Sequence, residues 1–126
     1  MYTDLLTRIK NAQAVKKESI KMPYSKMDEA ILSVLVKHHY VESFEKRGRM
    51  PKRVLDIKLK YDNDEGAIHG LRFISKPSRH LYIAARQVRP VHHGYGLLVL
   101  TTSAGIMSGA AARKKNLGGE ALFEIW

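Results

Sequence analysis

The closing stretch LLVLTTSAGIMSGAAARKKNLGGEALFEIW, Leu97 to Trp126, constrains this chain most, because its punctuation leaves few ways to fold. Leu97, Leu98, Val99 and Leu100 form an apolar run of strand length that ends at three consecutive hydroxyls, Thr101, Thr102 and Ser103. A strand entering polar sequence this abruptly predicts that the hydroxyls leave the sheet at its rim, in a small hydroxyl-and-glycine loop. Ser108 then stands as the N-cap of a short helix. Ala110, Ala111 and Ala112 are strong helix formers, and Arg113, Lys114 and Lys115 fall in the last turn, where cations oppose the helix dipole. Asn116 ahead of Gly118 and Gly119 stops that helix. From Glu120 onward Ala121, Phe123 and Ile125 alternate with Leu122, Glu124 and Trp126, which is period two with apolar residues on both faces. The C-terminus therefore packs as a strand.

Charge narrows the class of partner. The chain has 126 residues and a net charge of +10, and no Asp or Glu occurs from Gly66 through Gly119. That stretch still holds Arg72, Lys76, Arg79, Arg86, Arg89, Arg113, Lys114 and Lys115, so the C-terminal half presents positive charge without local compensation. A polyanion is the partner this implies. A merely solubilising excess intersperses both signs, and an acidic membrane surface calls for a basic amphipathic helix or a denser cluster than three residues. No apolar run reaches the roughly 18 residues of a membrane span, and the start MYTDLLTRIKNAQ is charged where a signal peptide is apolar. The absence of cysteine removes disulfides and thiolate metal sites, which fits a reducing interior. With 44% hydrophobic residues there is enough apolar surface for one compact domain or two small ones.

Taken in order, Thr3 is read as the cap of a helix with Leu5, Leu6, Ile9 and Ala12 on one stripe, running to about Lys16. Ser19 to Pro23 reads as a short strand halted by proline. Ser25 with Asp28 three residues later is a capping-box pattern, followed by Met27, Ile31, Val34 and Leu35 at helical spacing as far as His38 and His39. Tyr40 to Glu45 is extended, Arg47 to Pro51 is a basic turn, and Leu55, Ile57, Leu59 and Tyr61 alternate along a half-exposed strand. The polar cluster Asp62 to Gly66 is where acid-rich sequence ends, so it is the expected border between subdomains spanning 1–62 and 63–126. Beyond it Ala67 to Ile74 and Arg79 to Ile83 read as strands, and His92 to Gly96 as a loop.

Signatures of catalysis are absent. GYGLLV at Gly94 lacks the third glycine of a dinucleotide fingerprint and precedes its strand, and there is no Walker loop. The adjacent pairs His38/His39 and His92/His93 make poor joint metal ligands without carboxylates nearby. Ser103 or Thr102 as a nucleophile would need a base and an orienting acid, and only Glu120 and Glu124 are close in sequence. The expectation is no catalytic residue, no metal and no cofactor. The hydroxyls suit binding better, since each donates and accepts through a short rotatable group, and the shallow minor groove of A-form RNA offers 2′-hydroxyls and base edges to such groups. Tyr82, in a basic strand, supplies a stacking face or a phenolic hydrogen bond. The competing reading makes Thr101 to Ser103 caps of the next turn and Tyr82 a core residue, and the residues alone leave the two open.

Set together, DLLTRIKNA at Asp4 to Ala12, MPYSK at Met22 to Lys26, LKY at Leu59 to Tyr61, TTS at Thr101 to Ser103, GIM at Gly105 to Met107, ARKKN at Ala112 to Asn116 and GGE at Gly118 to Glu120 resemble the S8 family of small-subunit ribosomal proteins, over nearly the whole chain and in order. The resemblance implies an α+β fold of two small subdomains packed together. The first would be helix-strand-helix-strand-strand, the second mostly β with a short basic helix. It implies a structural constituent of the small ribosomal subunit in the cytoplasm. Its partners would be the central domain of small-subunit rRNA, neighbouring ribosomal proteins and, in many bacteria, its own operon mRNA, whose translation it represses. The family's RNA contacts carry over to Thr101, Thr102, Ser103, Tyr82, Gly118, Gly119 and Glu120, with the basic Arg79, Arg86 and Lys114 beside them. In the N-terminal part they fall on Thr3, Thr7, Arg8 and Asn11, and on Ser25 and Lys26, which position more than specify. The chain departs from the family with Thr101 where serine is usual, with Ser108 and Gly109 after GIM where threonine and an acid are usual, and with fewer residues before the first helix. An RNA-acting enzyme and a free-standing basic nucleic-acid-binding protein are the competing classes.

Overall fold

The computed structural model describes residues 2–49, 52–76, 78–89 and 96–126. Met50, Pro51, Pro77, Pro90 and positions 91–95, with the His92/His93 pair and most of the loop expected there, lie outside the described residues. The fold is α+β, and contacts divide the chain into two compact units, Met1–Ala67 and Ile68–Trp126.

The first unit runs α1 (Tyr2–Ala14), β1 (Ser19–Pro23), α2 (Lys26–Lys37), β2 (Val41–Arg47) and β3 (Val54–Leu59), the expected helix-strand-helix-strand-strand order. A small hairpin, β4 (Tyr61–Asp62) with β5 (Glu65–Gly66), follows and contains the acidic turn. β3 is central, antiparallel to β1 on one side and β2 on the other. Its period-two pattern buries Leu55, Ile57 and Leu59, while α1 buries Leu5, Leu6, Ile9 and Ala12 and α2 buries Ile31, Leu32 and Leu35. Each fully buried Leu or Ile contributes about 1.5–3 kcal/mol by leaving water.

Helix ends differ from expectation in an instructive way. Thr3 does not cap α1; it sits in the first turn, where its carbonyl accepts the Thr7 hydroxyl at 2.7 Å. Ser25 occupies the N-cap of α2 with extended backbone, but its side chain makes no capping hydrogen bond, so the capping box does not close. At their C-termini both helices stop on a non-glycine residue in the left-handed region, Lys16 (φ 58) and His39 (φ 66). In each case two amides turn back: Lys17 to Ala12 and Lys16 to Gln13 at 2.9 and 3.0 Å, Tyr40 to Leu35 and His39 to Val36 at 2.9 and 3.1 Å. This is the Schellman arrangement usually built on glycine. It accounts for the His38/His39 pair, which closes a helix.

The second unit is a five-stranded sheet around β10 (Gly119–Ile125). β8 (Leu97–Thr102) pairs along one edge of β10, and β9 (Gly105–Ser108) pairs outside β8. The other edge is shared by β6 (Leu71–Phe73) and β7 (Tyr82–Ile83), both shorter than expected. β7 pairs with Gly119 and Glu120 and β6 with Phe123 to Ile125, on either side of the point where the register of β10 against β8 shifts, between Ala121 and Phe123. Ser75 is buried there. Its hydroxyl donates to the Ala121 carbonyl at 2.6 Å and accepts the Leu81 amide at 3.0 Å, which seats β7 against β10. α3 (Gly109–Lys114) starts on the expected cap, the Ser108 Oγ accepting the Ala111 amide at 3.1 Å, and ends at Asn116 (φ 56). Its small Ala112 packs into a cluster with Val88, Leu100, Met107 and Ala121.

One expectation fails here. Thr101 and Thr102 do not leave the sheet; they are the last two residues of β8, register partners of Ile106 and Gly105, and GIM is strand where a loop was read. β-branched threonine suits a strand, and Gly105 at φ 114 allows a reversal through Ser103 and Ala104 alone.

Candidate nucleic-acid interface

The register brings four separated segments into two adjacent rows at one end of the second unit's sheet. Tyr82, Glu120, Thr101 and Ile106 are partners in one row, and Ile83, Gly119, Thr102 and Gly105 in the next. Partners across antiparallel strands face the same side, so Tyr82, Glu120 and Thr101 share a face, with strand axes about 4.8 Å apart. Further along that face Phe123 and Val99 are buried, so the face changes from apolar to polar toward its end. Tyr82 stands clear of the core at 70% exposure.

The three hydroxyls divide by role. Thr102 Oγ1 donates to the Gly105 carbonyl at 2.8 Å and accepts the Ala104 amide at 3.2 Å, so its proton is spent on closing the turn. Thr101 and the exposed Ser103 bond to no other described residue through their hydroxyls and keep full capacity to donate and accept. Capping and free presentation therefore coexist within one triplet.

The glycine pair is dictated by crowding. A methyl group on Gly118 would approach the Ile83 carbonyl oxygen to 2.7 Å, and one on Gly119 would collide with the Thr101 carbonyl. Only glycine lets β7 and β8 close on β10 at this point. Glu120, whose side chain is 15% exposed, is held at one oxygen by His80 Nδ1 at 2.9 Å. His80 was not singled out from sequence, although its alternation with Tyr82 in a short strand is the signal that would have found it. Ser75 was missed as well, because nothing local marks a serine whose hydroxyl donates to a carbonyl 46 residues away.

Positive charge goes uncompensated across this unit. Apart from the His80–Glu120 pair, every ion pair among the described residues lies in the first unit, and Arg72, Lys76, Arg79, Arg86, Arg89, Arg113, Lys114 and Lys115 have no carboxylate partner. Arg79 closes the tight turn with Lys76, with reciprocal backbone bonds of 2.9 Å, Arg86 lies in a 3-10 turn (Ala85–Gln87), and Lys114 in the last turn of α3; all three are exposed.

The N-terminal candidates are held by the other unit. Thr7 spends its proton on Thr3, which is half-buried, and Arg8 pairs with Asp4 at 3.1 Å. Arg8 and Asn11 line an open groove with Val15, Lys17 and Lys21. Ser25 and the exposed Lys26 stand at the start of α2. Burial pushes the Asp28 carboxyl one turn further on above the usual Asp range, and its Oδ1 finds no hydrogen-bond partner among the described residues. Among the described residues no three His, Cys, Asp or Glu gather as metal ligands, and no helix is long and apolar enough to cross a membrane.

Comparison with known proteins gives one answer. The family model described as Ribosomal protein S8 matches residues 1–126. The small ribosomal subunit protein uS8 of Spiroplasma kunkelii is 42% identical over 123 residues, 98% of this chain and 95% of that protein. The uS8 proteins of Persephonella marina and of Ruthia magnifica are 40% identical over 129 residues and 39% over 123, each covering 98% of this chain and 95% and 94% of their own lengths.

Proposed function

The chain belongs to the ribosomal protein S8 family, and from that premise we propose that it binds the central domain of small-subunit rRNA directly, reading it with the polar end of the second unit's sheet. As a member it is a structural, rRNA-binding constituent of the small ribosomal subunit in the cytoplasm and not an enzyme. Its partners are rRNA and neighbouring ribosomal proteins. The observation that carries the proposal is the convergence of exposed Tyr82, the free hydroxyls of Thr101 and Ser103 and the oriented Glu120 on one sheet end, within a unit whose arginines and lysines lack carboxylates.

The division of labour follows from chemistry. Arg79, Arg86 and Lys114 attract the phosphate backbone without reading sequence, while hydroxyls and the carboxylate meet 2′-hydroxyls and base edges in a shallow groove and Tyr82 stacks on an unpaired base. Gly118 and Gly119 act through geometry, bringing the three strands close enough for these groups to act together. Thr3, Thr7, Arg8, Asn11, Ser25 and Lys26 supply positioning contacts. Early binding of this kind orders a segment of rRNA and so assists subunit assembly. A reader of shape and edges accepts any RNA that presents the same ones, which makes an operon mRNA with a matching helix a second ligand and translational repression the consequence.

Nuclease footprinting on small-subunit rRNA, combined with sedimentation of small subunits after a high-salt wash, tests the reading. Protection confined to the central domain by a protein that stays with the subunit is the expected result. Protection elsewhere, or loss in the wash, refutes it.

A further inference from the structure

One end of the first unit's sheet carries cations that its own acids do not neutralise. Pro23 of β1, Val54 of β3 and Arg47 of β2 are register partners, so the segments beyond them, Tyr24–Lys26, Lys52–Arg53 and Gly48–Arg49, leave the sheet side by side. Backbone bonds fix them: the Tyr24 amide donates to the Arg53 carbonyl at 3.0 Å and the Lys52 amide to the Arg49 carbonyl at 2.8 Å. Gly48 turns at φ 87, where any side chain would be strained and would also press on the Lys52 carbonyl.

Compensation fades outward along this hairpin. Arg47 pairs with Glu45 and Asp56 at 3.0 and 3.3 Å, and Lys46 with Glu29 at 3.1 Å. Arg49, Lys52 and Arg53 have no carboxylate partner among the described residues, and Arg49 and Lys52 are exposed. Arg53 lies 5.5 Å from the centre of the Tyr24 ring and Lys46 lies 5.9 Å from it, so the aromatic face braces Arg53 without cancelling its charge. Like-signed, unpaired cations gathered at one place on a surface attract a polyanion.

We propose that Arg49, Lys52 and Arg53 form a second RNA contact that grips a phosphodiester backbone independently of sequence. This rests on the rRNA-binding reading above. Chemistry favours RNA over an acidic protein surface here. Protein interfaces centre on an apolar or aromatic core, whereas the exposed large apolar residues among those described are Val15, Leu81 and Tyr82, none of them at this sheet end. The planar fork of arginine matches phosphate oxygens in pairs.

The test is the double variant Arg49→Gln/Lys52→Gln, titrated against a transcript of the whole small-subunit rRNA at several salt concentrations. Both residues are exposed and unpaired, and an unchanged melting curve confirms an intact fold. Losing two phosphate contacts lowers affinity by about tenfold near physiological salt and flattens the slope of log affinity against log salt by about 1.5. Ser103→Ala in parallel weakens binding with the slope unchanged if the second unit reads the RNA. An unaltered slope and affinity in the double variant overturns the second contact while leaving the first reading in place. A double variant with unaltered rRNA binding that loses only a neighbouring ribosomal protein assigns the patch to protein and also overturns it. Failure of the wild-type chain to select its rRNA overturns the rRNA reading and this inference together.

Discussion

Thr102 and Ser103 are neighbours with opposite duties, and replacing each separates folding from recognition. Thr102→Val keeps the β-branched shape and removes two hydrogen bonds, to the Gly105 carbonyl at 2.8 Å and from the Ala104 amide at 3.2 Å. A net hydrogen bond is worth about 0.5–1.5 kcal/mol, and because this turn is exposed, water replaces part of what is lost. The expected cost is therefore about 1 kcal/mol, a fall in melting temperature of about 4–8 °C. Ser103 is exposed and bonded to no described residue, so Ser103→Ala stays within about 0.5 kcal/mol of wild-type stability. Against RNA the order reverses: losing one neutral hydrogen bond to a nucleotide costs about 0.5–1.5 kcal/mol, a factor of about 2 to 12 in Kd. Thermal unfolding followed by circular dichroism, with filter binding to the footprinted rRNA fragment, measures both. A Thr102→Val protein that melts with wild type, or a Ser103→Ala protein that melts early while binding RNA normally, refutes the assignment of roles.

Gly119→Ala forces a methyl group onto the Thr101 carbonyl, and backbone cannot rotate away as a side chain can. We expect a loss of about 3 kcal/mol and of about 12–24 °C in melting temperature, read by calorimetry, with RNA binding lost as β8 shifts. Lys16→Gly relieves a left-handed residue at an exposed helix end, and after the added chain entropy of glycine it stabilises by about 0.5–1 kcal/mol in urea unfolding. For Asp28, burial holds the folded carboxyl above its ordinary value of 3.8, so its contribution is full below that value and is lost as pH rises through the higher folded one. Asp28→Asn keeps the side chain neutral at every pH. Its stability relative to wild type should grow from about pH 4 toward neutrality in a pH series of melting curves, and a constant difference would contradict the account.

What the sequence made legible was local. Ser108 as a cap, the alanines of α3, the stop at Asn116 and the alternation of β3 depend on neighbours a few residues away, and the structure bears them out. Features set by distant partners were hidden. The extension of β8 through Thr102 depends on Ile106 and Met107 returning beside it, which Gly105 permits but does not announce. β6 and β7 are short because they share one edge of β10, a division that no local signal in either segment marks. Lys16 and His39 end helices in a conformation usually marked by glycine, so the first helix was read about two residues too long. At the candidate site, residue types and charge asymmetry point to nucleic acid from the sequence alone. Which hydroxyl is spent and which is free, and that His80 holds Glu120, needed three dimensions.

The central claim is that the end of the second unit's sheet reads RNA and does not merely attract it. Its most direct test is the affinity ratio between the footprinted rRNA fragment and a base-scrambled helix of equal length, measured over a salt series for wild type and for Thr101→Val/Ser103→Ala. Neither hydroxyl bonds to another described residue and neither releases a counterion, so the ratio should fall by about tenfold with the salt slope unchanged. If both RNAs weaken equally, or the slope flattens as it would for a lost arginine, these hydroxyls are not the reader.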